Sequence, residues 1–160
     1  MSIRTDNLTV FPLNAMRTCL ILIMLPMAAL FSQSPDSLLV KTFPQSNKIF
    51  HHPPSPFFQG RPTFLELFVD IAWDSLENVS IFFKTENSVD YQEISLEKYR
   101  GRFRFKYDPE PFPGDTISYF FMATETDFSI HVIPLDDSGK IKPVQIQPVD
   151  PIKYYESMTP

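Results

Sequence analysis

The sequence predicts an all-β chain, an antiparallel β-sandwich of about seven strands preceded by a signal peptide. Residues 115–126 alternate with a period of two, placing Ile117, Tyr119, Phe121 and Ala123 on one face and Thr116, Ser118, Phe120, Met122 and Thr124 on the other. Both faces are largely apolar, so this strand belongs in the middle of a sheet rather than at its edge. Residues 63–71 and 102–107 alternate just as clearly, and turn residues separate such runs along the chain. After Ser34 no amphipathic helical period appears.

The N-terminal stretch has another composition. Arg17 precedes an apolar run from Thr18 to Phe31 that closes in Ser32-Gln33-Ser34. A positive start, a short hydrophobic run and a small residue at the exit describe a secretory signal. The run is shorter than the roughly 20 apolar residues that span a bilayer, and Pro26 with no polar face argues against a core helix. Cleavage is expected after Ser32, with Ala29 as the competing site. The residues before Met16 resemble neither signal nor domain, so Met16 is a candidate for the true start of a compact signal of the bacterial kind. The expected layout is signal peptide 1–32, leader 33–47, sandwich 48–148 and C-terminal tail 149–160.

Export to the periplasm or the outside of a bacterial envelope follows from that reading, with no stable membrane span once the signal is removed. Cys19, the only cysteine, leaves with the signal, so the remainder must hold together by packing without a disulfide. What remains is large enough for one core and too small for two ordinary domains. The net charge of −5 offers no basic footprint for nucleic acid or an anionic membrane surface.

In chain order, residues 48–52 read as a first strand that Pro53-Pro54-Ser55-Pro56 ends, because proline cannot donate to a ladder. Residues 63–71 then set Leu65, Leu67, Val69 and Ile71 against Phe64, Glu66, Phe68 and Asp70. Trp73 sits in the loop to the strand 79–84, where Val79, Ile81 and Phe83 oppose Ser80, Phe82 and Lys84. A shorter, more exposed strand covers 91–96, and 97–101 reads as a reversal. Arg102, Arg104 and Lys106 oppose Phe103, Phe105 and Tyr107, so one face is wet and the other buried; a slip of one residue would carry three cations into the core. The proline-rich connection 108–113 leads through Gly114, assigned a structural role at the turn, into the central strand. Residues 127–133 follow, Asp136-Asp137-Ser138-Gly139 turns the chain, and Pro143 puts 140–147 at an edge. The tail carries Tyr154 and Tyr155.

Three features follow one another between Ile49 and Pro148: His52-Pro53-Pro54 before a glycine-led strand, Val79-Ser80-Ile81-Phe82-Phe83-Lys84, and Tyr99-Arg100-Gly101-Arg102-Phe103. A proline loop and Gly114-Asp115-Thr116-Ile117-Ser118-Tyr119 complete the order. The pattern resembles the immunoglobulin-like or fibronectin type III-like modules of secreted bacterial envelope proteins. That resemblance implies an immunoglobulin-like sandwich with Tyr119 at the tyrosine corner, where a hydroxyl bonds back to nearby backbone. The Cys-Trp-Cys core of the antibody-type branch is absent. Sandwiches of this kind host many unrelated roles, so the resemblance carries fold rather than function.

Catalytic chemistry finds little support. His51 and His52 are adjacent and point to opposite faces of a strand, and His131 lies among apolar residues. No Gly-rich phosphate loop, His-Glu-x-x-His or nucleophile-elbow pattern occurs. Asp136-Asp137-Ser138-Gly139 reads as a hairpin turn rather than a calcium site, having too few local oxygen ligands. The expectation is therefore a chain that is not an enzyme and uses no cofactor.

The row Arg100, Arg102, Arg104 and Lys106 either meets an acidic partner or, as favoured, guards a wet face against edge pairing. Phe64, Phe68, Phe82, Phe120 and Met122 all oppose the residues assigned to the core, beside the structural pair Tyr119 and Phe121. They form the candidate interaction face, covered either by leader and tail, with Phe57-Phe58 and Tyr154-Tyr155 on hand, or by a partner. The expected function is non-catalytic: a secreted or periplasmic module acting through contact with a protein partner, as an accessory of an envelope assembly. The alternative is a carbohydrate-binding module whose exposed aromatics stack on a glycan. N-terminal sequencing of the exported protein is expected to begin at Gln33; an intact chain held in the membrane would make the segment an anchor instead.

Overall fold

The computed structural model describes residues 35–159, and the expected signal peptide, its expected cleavage site and the first two residues of the expected leader lie outside that range. The described residues form two antiparallel sheets, consistent with a β-sandwich. In chain order the strands are β1 (Ile49–His51), β2 (Thr63–Val69), β3 (Leu76–Thr85), β4 (Gln92–Ser95), β5 (Glu97–Tyr99), β6 (Arg102–Tyr107), β7 (Ile117–Glu125), β8 (Ile130–Ile133) and β9 (Val144–Ile146). A 3₁₀ turn, Pro35–Val40, precedes them and a short helix, α1 (Pro151–Glu156), follows. The four-stranded sheet runs β1-β2-β6-β5; the five-stranded sheet runs β4-β3-β7-β8, with β9 also beside β7.

The period-two runs fold as their patterns require. Leu65 and Leu67 of β2 are fully buried between the sheets, while Phe64 and Phe68 on the same strand point outward and are 45% exposed. Phe103, Phe105 and Tyr107 of β6 face the same core. β7 pairs along its whole length with β3, opposing Ile81 to Phe121, Phe82 to Phe120 and Phe83 to Tyr119. Tyr119 and Phe121 fill the centre between the sheets with no exposure. At its entry Gly114 lies against Thr85, where an added Cβ would sit 2.8 Å from the Thr85 Cβ. The Glu86 carboxylate accepts from the Asp115 N–H at 2.6 Å and from the Thr116 N–H, which closes that turn.

Three elements differ from the sequence expectation. Residues 97–101, expected as a reversal, contain β5, so the sandwich has nine strands among the described residues rather than about seven. All three β5 side chains are exposed, so no hydrophobic alternation marks it. The chain passes from β4, paired with β3, to β5, paired with β6, and so changes sheets at Leu96. The true reversal is the two-residue hairpin Arg100-Gly101, both at positive φ (49° and 84°), as a type I′ turn demands. β3 also begins at Leu76, ahead of Val79, with a register irregularity between Leu76 and Asn78. The tail contains α1, capped by the Asp150 carboxylate accepting from the Ile152 N–H at 2.8 Å; it buries no residue, hence its missing signature.

The outer face of the five-stranded sheet is covered by the chain itself. Phe82 and Phe120, directly opposed across β3 and β7, stack with centroids 4.8 Å apart. Tyr91, Val132 and Ile141 bury them further, with Leu38, Leu39 and Phe43 of the leader packed against the cluster. The leader is pinned where the Phe43 N–H donates to the Gly139 carbonyl at 2.7 Å. A Cβ at Gly139 would stand 2.6 Å from the Phe43 carbonyl oxygen, and its φ of +79° is one that glycine accepts without strain. The tail takes no part in this cover: Tyr154 and Tyr155 gather on Phe58, with centroids 5.4 and 5.8 Å away, and Phe57 enters the inter-sheet core.

Tyr119→Ala, Phe121→Ala and Phe82→Ala are each expected to cost about 3–5 kcal/mol, and Phe68→Ala about 1 kcal/mol or less. Urea unfolding of the four variants checks this; a loss at Phe68 equal to that at Phe82 would contradict the difference between the two outer faces.

Candidate interaction face

The five residues expected to share one face are divided between opposite sides of the sandwich. Phe82 and Phe120 are buried under the leader and Met122 packs partly buried beside them, whereas Phe64 and Phe68 lie on the outer face of the four-stranded sheet. Alternation along a strand distinguishes inside from outside, but a sandwich has two outsides. The candidate face is therefore redrawn as the outer surface of β1-β2-β6-β5.

On it β1 contributes Phe50, opposite Phe68, and β2 contributes Phe64, opposite Lys106. Tyr99 of β5 stands opposite Arg102, and Arg104 is flanked by Glu66 on one side and Glu97 on the other. Phe50, Phe64, Phe68 and Tyr99 are all substantially exposed. The arginines, expected either as a wet guard row or as a contact for an acidic partner, lie over these rings. The Arg102 guanidinium is 4.8 Å from the Phe68 centroid and donates from Nη1 to Glu66 Oε2 at 2.5 Å. The Arg104 guanidinium is 3.3 Å from the Tyr99 centroid and 4.6 Å from that of Phe64. Stacked guanidinium and half-buried stems shield the rings while keeping charge at the surface. Beside Arg104 a groove of about 440 Å³ opens, lined by Phe64, Ile94, Leu96, Tyr99 and Lys106 among others.

Two polar clusters lie away from this face. His51 points inward from β1: its Nδ1–H donates to the Glu66 carbonyl at 2.7 Å, which leaves Nε2 to accept from the Tyr119 hydroxyl at 2.8 Å. Tyr119 is therefore not a tyrosine corner, since its hydroxyl bonds a side chain on the other sheet. Tyr107 does bond nearby backbone, its hydroxyl donating forward to the Phe112 carbonyl at 2.7 Å across the proline-rich loop. Burial pushes the Tyr119 hydroxyl pKa up and the His51 imidazole pKa down.

In the second cluster Glu125 Oε1 accepts from Lys48 Nζ and from His131 Nε2, each at 2.6 Å, and His131 Nδ1 meets the Ser46 hydroxyl at 2.9 Å. The Lys48 hydrogen bond first, then that from His131, holds the Glu125 carboxyl below the usual range. The order serine–histidine–carboxylate has the form of a nucleophile relay. Here Lys48 takes the same carboxylate oxygen that orients the imidazole, and the four residues act as a clamp joining the end of the leader to the β7–β8 hairpin.

The chain matches no protein-family model and no curated protein. Among the described residues no group of three or more His, Cys, Asp or Glu side chains is placed to hold a metal ion, and no helix is long and apolar enough to cross a membrane. The Asp136 Oδ1 accepts from the Ser138 N–H, the Ser138 hydroxyl and the Lys140 N–H within its own turn. The outer face of the four-stranded sheet presents exposed aromatic rings and oriented guanidinium groups.

The His51 arrangement sets a pH dependence. The folded chain favours neutral His51, whose unfolded pKa is about 6.5, so its contribution is complete above that value and is lost as pH falls toward the lower folded pKa. Protonation removes the acceptor that the Tyr119 hydroxyl needs. The melting temperature is expected to fall between pH 7.5 and 5, and His51→Gln is expected to flatten that fall; equal slopes for the two proteins would refute it.

Proposed function

We propose that this chain is a non-catalytic, exported immunoglobulin-like module that works by protein–protein contact, as an accessory to an assembly in the bacterial envelope. The signal-like segment led by Arg17 supports export, and the two-sheet architecture suits an immunoglobulin-like module. The observation that carries the contact role is the unequal treatment of the two outer faces. One is closed by the chain's own leader over Phe82 and Phe120, while the other leaves Phe50 at 50% and Phe64 and Phe68 at 45% exposure on neighbouring strands. Aromatic side chains beside arginine are the usual anchors of protein interfaces.

A glycan is the weaker alternative for the same surface. Sugar stacking needs open ring faces, and guanidinium groups already lie over Phe64, Phe68 and Tyr99. A photo-crosslinking amino acid placed at Phe68, with exposed Lys142 as the control position, tests the proposal in cells. Discrete, protease-sensitive adducts from position 68 and none from position 142 are expected. No adduct at position 68, or a protease-resistant glycan adduct, would overturn the reading.

A further inference from the structure

β6 outruns the strand beside it. β5 pairs only with Arg102, Phe103 and Arg104, whereas on the other edge β2 accompanies β6 from Phe103 to Tyr107. The short β5 follows from the change of sheets at Leu96, which takes the preceding residues across to β3. Among the described residues, positions 105–107 of β6 therefore have no strand partner on the β5 side. The groove of about 440 Å³ lies at this place, with Phe105 and Lys106 in its wall. An unpaired ladder edge is a template for an added extended chain, and the groove supplies space for the side chains of one.

Charge narrows the occupant. Lys98, Arg104 and Lys106 line the groove against the single acid Glu97, although the whole chain carries a charge of −5. Arg104 is the distinctive group. Tyr99 and Phe64 hold its guanidinium, yet it makes no ion pair or hydrogen bond to any described residue. Of its two acidic neighbours in register, Glu66 is engaged by Arg102 and Glu97 forms no ion pair with it. An oriented guanidinium with its donor fork unused matches a carboxylate, which accepts two parallel N–H bonds from it.

We propose that the groove takes an extended acidic polypeptide segment, which adds to the sheet along residues 105–107 of β6 and sets an Asp or Glu carboxylate on Arg104. The inference rests on the protein-contact reading above and gives the partner its chemistry.

The probe is a fluorescein-labelled peptide of alternating valine and glutamate, with a valine–glutamine peptide as its neutral counterpart. Anisotropy is expected to show binding of the acidic peptide that added salt weakens, and binding of the neutral one weaker by about tenfold or more. Amide resonances of residues 105–107 should shift on titration. Arg104→Lys keeps the charge but loses the fork and should weaken binding about tenfold, whereas Arg102→Lys, altering the arginine already paired with Glu66, should change it less than about twofold. Equal binding of both peptides, indifference to Arg104→Lys, or no binding at all would overturn the proposal. Protein adducts at position 68 alongside failed peptide binding would remove only the acidic groove; loss of both would remove the contact role as well.

Discussion

Double burial of β7 is the constraint on which the rest of the sandwich depends. Its inner residues Tyr119 and Phe121 are closed off by the four-stranded sheet, and its outer residue Phe120 is equally buried. A strand apolar on both faces needs two layers of cover, and the second layer here comes from the leader together with Tyr91 and Ile141. Leu38, Leu39 and Phe43 pack on the Phe82–Phe120 stack, and the close approach of Phe43 to Gly139 sets where they lie. The outer face of the five-stranded sheet is thereby spent on stability, which leaves the opposite face as the exposed aromatic surface.

That opposite face keeps its rings in water by covering them with its own cations. Arg102 and Arg104 alternate with core residues on β6, so they necessarily rise on the same side as Phe64 and Phe68 of the neighbouring strand. Each stacking contact at an exposed site is worth about 0.5–1 kcal/mol, enough to orient a long side chain without locking it. The two arginines differ in what remains to them. Arg102 is satisfied by Glu66; Arg104 is positioned by rings alone and retains its donors.

The polar groups within the sandwich join elements that hydrophobic packing leaves adjacent but unpaired. His51 links the edge strand of one sheet to the centre of the other through Tyr119 and to its own neighbour through the Glu66 carbonyl. Glu125 gathers Lys48 and His131 at the margin where β1 faces β8. Buried polar side chains of this sort are stable only when partnered, and no buried side-chain nitrogen or oxygen among the described residues lacks a hydrogen bond. Acid titrates both clusters in the same direction, because neutral His51 and ionised Glu125 are the forms the fold favours.

Alternation along the chain was sufficient to place Leu65, Leu67, Phe103, Phe105, Tyr119 and Phe121 inside, and to show that β7 must be covered twice. It did so because the side-chain period of a strand is local and a one-residue slip would bury Arg102, Arg104 and Lys106 together. The sheet to which each strand belongs is a different kind of information. Phe64 and Phe82 look alike in sequence, one outward from β2 and one outward from β3, but the first pairs across to Lys106 and the second to Phe120. Those partners are distant along the chain, and their choice depends on how all the strands close together. For the same reason only the tertiary structure revealed the sheet change at Leu96, the choice of the leader rather than the tail as the cover of Phe82 and Phe120, the bond from Tyr119 to His51, and the unpaired stretch of β6 beside Arg104. Each is a contact between segments whose local patterns carry no mark of the other.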